Sequence, residues 1–354
     1  MSTNSSENNR AHPIPQSQTL DVYETASNSG DSDSAYGDLA SETASLSSSI
    51  LAGHYENGRR YHAYQSGKYM FPDDEQEQDR LDIKYASLNL VMGGKVFWAP
   101  VKSPSFILDV GTGTGIWAID CAEEWPEATV VATDLSPIQP TWVPPNVQFQ
   151  IDDAEQPWTW PENHFDLVHW RTMTGAIRDW DTLYQQAFRH TKPGGYIEVQ
   201  EMDYMAVIQT ESSKEPGTSF LHWCALQNSA ALRANISLRT SPQQIKSHME
   251  KAGFVDVQTV EFKLPIGPWA KMKRLREAGL LQLSAMLEGI EGLSLRLMKN
   301  YGDGGWTVEE LHVLLAKVRS ELKSGKVHAY WPLMVVYAKK PELPQAPDDT
   351  PQDA

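Results

Sequence analysis

The chain has 354 residues, 40% of them hydrophobic, and a formal net charge of −16. A surface this acidic repels phosphate backbones, so direct nucleic-acid binding and adsorption to an anionic membrane are disfavoured, and the apolar content suffices for a sizeable core. With only Cys121 and Cys224 there is no disulfide framework, and both thiols are expected to be reduced and buried.

Residues 1–50 contain thirteen serines and no Lys, Trp or Phe, so they are expected to form a disordered acidic tail. The N-terminus lacks the basic region and apolar core of a secretory signal, and no stretch reaches the length of a membrane span. The chain therefore reads as nuclear or cytoplasmic rather than secreted or membrane-bound. Residues 51–340 read as one domain, and 341–354, with four prolines and four acids, as a second disordered tail. The two tails carry −6 and −4, which leaves −6 on the domain.

Within the domain, residues 51–100 are expected to form an N-terminal cap. Its first part, YENGRRYHAYQSGKYMFP from Tyr55, is rich in Tyr and bases and suited to meet something aromatic or anionic. Asp73 to Val91 then reads as a helix with acids in its first turn. Short apolar runs follow at Phe106–Val110, Thr129–Asp134, Val147–Ile151, Phe165–Trp170 and Gly195–Glu201, separated by helical patterns. That alternation predicts a parallel sheet covered on both faces. KPGG before the fifth run reads as a turn closing the preceding helix. Two later strands, near Val255–Leu264 and Trp331–Lys339, bracket a segment at 265–328 with apolar residues at helical spacing, which predicts a helical insertion.

The first strand ends in ILDVGTGTGIWAID, placing Asp109, Gly111, Gly113 and Gly115 at a strand-to-helix turn. Glycines there let a ligand approach the backbone, and the helix N-terminus offers free amides. A dinucleotide fingerprint would need a third glycine where Ile116 stands, which argues against a hydride-transferring dehydrogenase. Asp134, closing the second strand, is placed to accept hydrogen bonds from two ribose hydroxyls, and Asp152 or Asp153 after the third can receive an exocyclic adenine amine.

In these elements, from about Phe106 to Glu201, the chain resembles the class I S-adenosylmethionine-dependent methyltransferases. YENGRRYHAYQSGKYMFPDDEQEQDRLDIKYA together with LVMGGKVFWAP looks more narrowly like the fungal LaeA-like methyltransferases, over roughly 55–340. The resemblance implies a Rossmann-like seven-stranded α/β sheet with an N-terminal helical cap and S-adenosyl-L-methionine as cofactor. By it, Asp109, Gly111, Gly113 and Gly115 line the methionine moiety, Asp134 holds the ribose, and Asp153 with Ala154 the adenine. Tyr64, with Tyr55, Tyr61, His62 and Tyr69, forms an aromatic lid. The resemblance also implies a role in secondary metabolism and velvet-type regulatory partners.

Residues leaving the fourth strand face the cleft of such folds. His169 is a candidate base, with a satisfied buried histidine as the alternative. Arg171 is a candidate clamp for a carboxylate, and Glu201 a further candidate base, with Asp203 beside it. HWRT stands where enzymes that methylate planar amines usually carry an (N/D)-P-P-(Y/F) signature, which disfavours that subclass. Two readings follow: an enzyme that methylates a small-molecule or protein acceptor, and a weakly catalytic or non-catalytic regulatory subunit acting through protein partners.

Overall fold

The computed structural model describes residues 53–342, so the two tails expected at 1–50 and 341–354 lie almost wholly outside the described residues. A short hairpin, β1 (His54–Glu56) and β2 (Arg59–Tyr61), leads into helix α1 (Glu75–Met92). The bases of this hairpin meet acids of the chain itself. Arg59 forms a two-pronged pair with Asp74, at 2.6 and 2.7 Å, and Arg60 binds Asp73 at 2.9 Å. Asp74 also caps α1 by accepting from the Glu77 amide, so the hairpin is clamped to the positive end of the helix.

The sheet follows as β3 (Phe106–Val110), α2 (Ile116–Glu124), β4 (Thr129–Asp134), β5 (Val147–Ile151), β6 (Phe165–Arg171), α3 (Trp180–His190) and β7 (Thr191–Met202). After it come β8 (Val207–Ile208), α4 (Thr218–Arg233), α5 (Pro242–Ala252), β9 (Val255–Ile266), α6 (Lys273–Tyr301), α7 (Val308–Lys323) and β10 (Ala329–Lys339). Strand order is β5-β4-β3-β6-β7-β10, and both β9 and the two-residue β8 pair with β10. The first five strands are parallel, and β10 runs antiparallel between β7 and β9. This is the expected Rossmann-like α/β sheet, with one short strand more than the seven expected.

Successive residues of each central strand serve opposite layers, as a doubly covered sheet requires. Ile107 and Leu167 pack with Trp117, Ala118 and Cys121 of α2, while Leu108 and Val168 pack with Leu183, Tyr184 and Met249 of α3 and α5. Both cysteines are free and buried.

KPGG is the one local reading the structure revises. Helix α3 ends at His190, and residues 191–202 are already strand, with a register shift opposite Phe165–Leu167 and Gly194 at φ +79°. Gly194 N–H donates to Lys340 O, and Lys340 N–H donates to Gly195 O. The glycine pair therefore shapes a bulge that docks the last strand rather than a helix-closing turn.

The insertion between the last two strands is helical, α6 and α7. With α4 and Trp331 of β10 these helices form a third apolar layer beside the sheet, in which Phe220, Trp223, Ile290 and Leu315 are buried. No described helix is long and apolar enough to cross a membrane.

Candidate active site

The strand order reverses between β3 and β6, and the carboxyl ends of β3 to β6 open there into a cleft of about 860 Å³. Gly111, Gly113, Asp134, Asp152, Asp153, Ala154 and Arg171 all line it. The glycine turn has physical reasons for its composition. Gly111 lies at φ +69°, and a Cβ there would come within 2.1 Å of Met173 Sδ. Gly113 lies at φ +61°, and a Cβ there would make only an ordinary contact, with Leu81 at 3.8 Å. One glycine lets the next strand's loop close; the other keeps the cleft floor bare. Gly115 caps α2 with a third left-handed backbone.

Asp134 is held by two amides, Gly113 N–H donating to Oδ2 at 2.8 Å and Ser136 N–H to Oδ1 at 2.9 Å. Each oxygen keeps a lone pair for another donor. Burial pushes its pKa up to about 6, against those two bonds. Asp153 pairs with Lys68 and accepts from Glu155 N–H, and Lys68 also meets Glu155 at 3.2 Å. Asp152 accepts from Asp153 N–H at 2.8 Å. Lys68 thus ties the segment before α1 across the cleft.

A second cavity of about 490 Å³ adjoins the first, sharing Leu81, Gly111, Gly113, Arg171 and Thr172, and includes Asp109 and Thr112. Two of its buried donors have no partner: Arg171 Nη1 and Thr112 Oγ1. Arg171 is held by Gln200 at 2.8 Å through Nε and lies over the Tyr85 ring. An unpaired guanidinium donor in a cavity beside the glycine turn fits the carboxylate of an amino acid, such as the methionine end of S-adenosylmethionine. The donor set and the bare floor at Gly113 therefore fit that molecule.

A third cavity, about 760 Å³, lies toward the added helical layer and is walled by Phe71, Met202, Trp223, Met286 and Trp331. Leu81 and Thr172 are common to all three cavities. Thr172 has φ +53°, a left-handed backbone unusual for a β-branched residue. Its amide donates to Gln200 O, and Glu201 accepts from the next two amides, Met173 N–H at 2.8 Å and Thr174 N–H at 3.2 Å. Strain of this kind persists only where neighbours over-determine it, and it marks functional sites.

The candidate catalytic residues fall in different places. Arg171 lines both cavities of the cleft. His169 is wholly buried, stands opposite Asp109 in the β3–β6 register, donates from Nδ1 to Asp109 Oδ1 at 2.7 Å and stacks on Trp117 at 3.7 Å. Burial pushes its pKa down, although Asp109 opposes this, so the ring is neutral at pH 7. Its Nε2 has no partner. Glu201 is buried, and burial pushes its pKa up to about 7; it faces Trp180, Tyr184 and Arg239 on a separate surface. Asp203 pairs with Arg239 at 2.6 Å. Of the aromatic cluster, Tyr69 lines two of the three cavities. Tyr64 contributes its carbonyl to His62, Tyr61 is buried under Arg296, and Tyr55 is exposed.

The methyltransferase-domain family matches residues 90–259. The methyltransferase pytC of Aspergillus terreus is 38% identical over 308 residues, 86% of this chain and 93% of that protein. The chain belongs to the LaeA-like S-adenosylmethionine-dependent methyltransferases. The secondary metabolism regulator laeA of Monascus pilosus is 35% identical over 82% of this chain and 78% of its own length. The protein-methionine methyltransferase laeA of Emericella nidulans is 34% identical over 81% and 76%. A solved phosphoethanolamine N-methyltransferase 2 of Haemonchus contortus with S-adenosyl-L-methionine is similar at 20% identity, covering 74% of this chain and 53% of that one, with a TM-score of 0.42. S-adenosylmethionine is the methyl donor of this family.

Leu81 and Lys84 of α1 lie inside the quoted DRLDIKYA stretch, but the motif gave neither of them a role. Nothing in their spacing separates a cavity-lining position from a core one, because the cavities form only when α1 lies against the end of the sheet.

Proposed function

We propose that this LaeA-like methyltransferase transfers a methyl group to an acceptor seated in the chamber beyond Leu81 and Thr172, and acts within or upon secondary metabolism. The observation that carries the reading is the pair of unpaired donors, Arg171 Nη1 and Thr112 Oγ1, in a cavity that shares residues with the Asp134 cleft on one side and the apolar chamber on the other.

In this reading Asp134 receives the ribose hydroxyls, Asp152, Asp153 and Ala154 border the adenine, and Asp109 with Gly111, Gly113 and Gly115 borders the methionine end, whose carboxylate pairs with Arg171. When bound, the cofactor supplies an electrophilic methyl group on a sulfonium. The chain's own residues supply alignment and exclusion of water. Tyr69 and Leu81 close the passage between donor and acceptor chambers, and the strained Thr172 forms its floor. His169 and Glu201 act as positioning residues, His169 by fixing Asp109 and Glu201 by holding the turn at 172–174.

A second reading comes from the relatives' names, which include secondary metabolism regulators. In it the protein works through partners, velvet-type regulators among those the family resemblance implies, with cofactor occupancy as a structural requirement. Feeding methyl-deuterated methionine to a deletion strain and its complemented parent separates the two. One small molecule or one protein that loses label only in the deletion strain supports the enzyme. Broad loss of many products with no single acceptor losing label supports the regulator.

A further inference from the structure

Lys84 is a buried amine on the inner face of α1, 6% exposed, and lies outside the motifs around the glycine turn. It lines both the methionine-end cavity and the apolar chamber, a position it shares only with Leu81 and Thr172. Its hydrogen bond among the described residues runs from Nζ to the Tyr204 hydroxyl at 3.0 Å, and it forms no ion pair among them. The charged groups around it are Arg80 and Glu77 on its own helix, Arg171 from β6 and Glu201 from β7, with Tyr204 after β7 and Tyr69 from the segment before α1 facing the same chamber. Arg80 and Glu77 neutralise each other through two bonds, at 2.6 and 2.9 Å. Glu201 turns its carboxylate to the Met173 and Thr174 amides. Among the described residues Lys84 is therefore the chamber's one basic side chain that forms no ion pair.

The rest of the chamber describes what it would take. Trp223, Trp331 and Phe71 offer flat apolar surface, and two buried amide oxygens, Gln227 Oε1 and Gln282 Oε1, have no donor. Unpaired buried acceptors are costly until a ligand donor meets them. We infer that the chamber binds a planar, largely apolar small molecule bearing an acidic phenol or enol hydroxyl, and that Lys84, steadied by Tyr204, is the base that takes that hydroxyl's proton.

This rests on the methyl-transfer reading above. The proton passes from the acceptor O–H to the neutral Nζ, and the oxygen keeps the electron pair. That pair forms the new bond to the methyl carbon as the carbon–sulfur bond breaks, and its electrons leave on sulfur. Products are the methyl ether, the demethylated thioether and an ammonium on Lys84. Burial, with Arg80 adding to it, pushes the Lys84 pKa down to about 7, so a neutral amine is present at physiological pH.

The test uses the full chain and 7-hydroxy-4-methylcoumarin, a planar phenol whose neutral and ionised forms excite at different wavelengths. Without cofactor, at a pH where the free probe is mostly neutral, the bound probe is expected to show the ionised form, and Lys84→Met is expected to bind it in neutral form, with an ionised fraction at least about tenfold lower. Tyr204→Phe gives an intermediate fraction. Lys84→Met removes an uncompensated buried amine and is expected to melt no lower than the parent. Absence of probe binding, or an identical spectrum in Lys84→Met, overturns the inference. Calorimetry with S-adenosylhomocysteine runs in parallel: binding retained in both chains with no Lys84 effect on the probe defeats this inference alone, whereas no binding to the parent defeats the methyl-transfer reading beneath it.

Discussion

Arg171 and Asp134 divide the donor site between two kinds of electrostatics. Arg171 offers a buried guanidinium donor with nothing to bind, so a carboxylate arriving there gains a charge-assisted bond without breaking a protein contact. Its loss in Arg171→Gln is expected to weaken S-adenosylhomocysteine binding about ten- to a hundredfold by calorimetry. Asp134 works the other way, as an acceptor that burial makes reluctant to ionise, with a pKa near 6 in place of the usual 3.8. Below that value the folded protein carries a proton there, and ribose hydroxyls lose acceptor sites. Cofactor affinity should therefore fall as pH drops through about 6 and stay level above it. Asp134→Asn should bind more weakly and lose that pH dependence, and calorimetry at several pH values checks both. The glycine turn, Asp134 and Arg171 were legible in the sequence because each is tied to a strand end by a short chain distance. Tyr69 was not separable from Tyr64 and Tyr61, since 62–73 has no regular period to say which ring points inward.

Helix α6 shows how an element can be chosen for what it must let pass. It has 29 residues, and packs against α1 along the chamber's outer wall. A Cβ at Gly279 would lie 2.2 Å from the backbone oxygen of Gly267, which accepts no such crowding because Gly267 N–H already donates to Gly279 O at 2.8 Å. At Gly289 the same atom would meet Arg80 Cδ at 2.1 Å. The two cases differ in kind: Arg80 is a flexible side chain that can shift, whereas the 267 backbone cannot without moving β9. Gly279→Ala is therefore expected to destabilise by about 1–3 kcal/mol, read as a lower urea midpoint, despite alanine's better helix propensity. Helical periodicity between 265 and 328 announced such an insertion, and the insertion is helical. It said nothing of Gln282 facing a cavity, because a buried polar residue on an apolar stripe becomes informative only when its missing partner is visible.

At the scale of the molecule, one layer built on the last strands converts a cofactor cleft into two chambers joined at Leu81 and Thr172. The acidity is concentrated in the tails, leaving −6 on 51–340, and the cavities are lined by both signs, Lys68, Lys84 and Arg171 among Asp109, Asp134, Asp152 and Asp153. The sheet and the donor site could be read from residues adjacent in the chain. The acceptor chamber could not, since α1, the segment after β7, α4 and α6 meet only after more than two hundred residues have folded. The central claim is that the cleft at the β3–β6 switch point holds S-adenosylmethionine. Calorimetric titration of the purified full chain with S-adenosylhomocysteine tests it most directly. One site per chain is expected, lost in Gly113→Asp, whose side chain would enter the bare cleft floor from a left-handed backbone. A flat titration of the parent protein, or undiminished binding by Gly113→Asp, would contradict it.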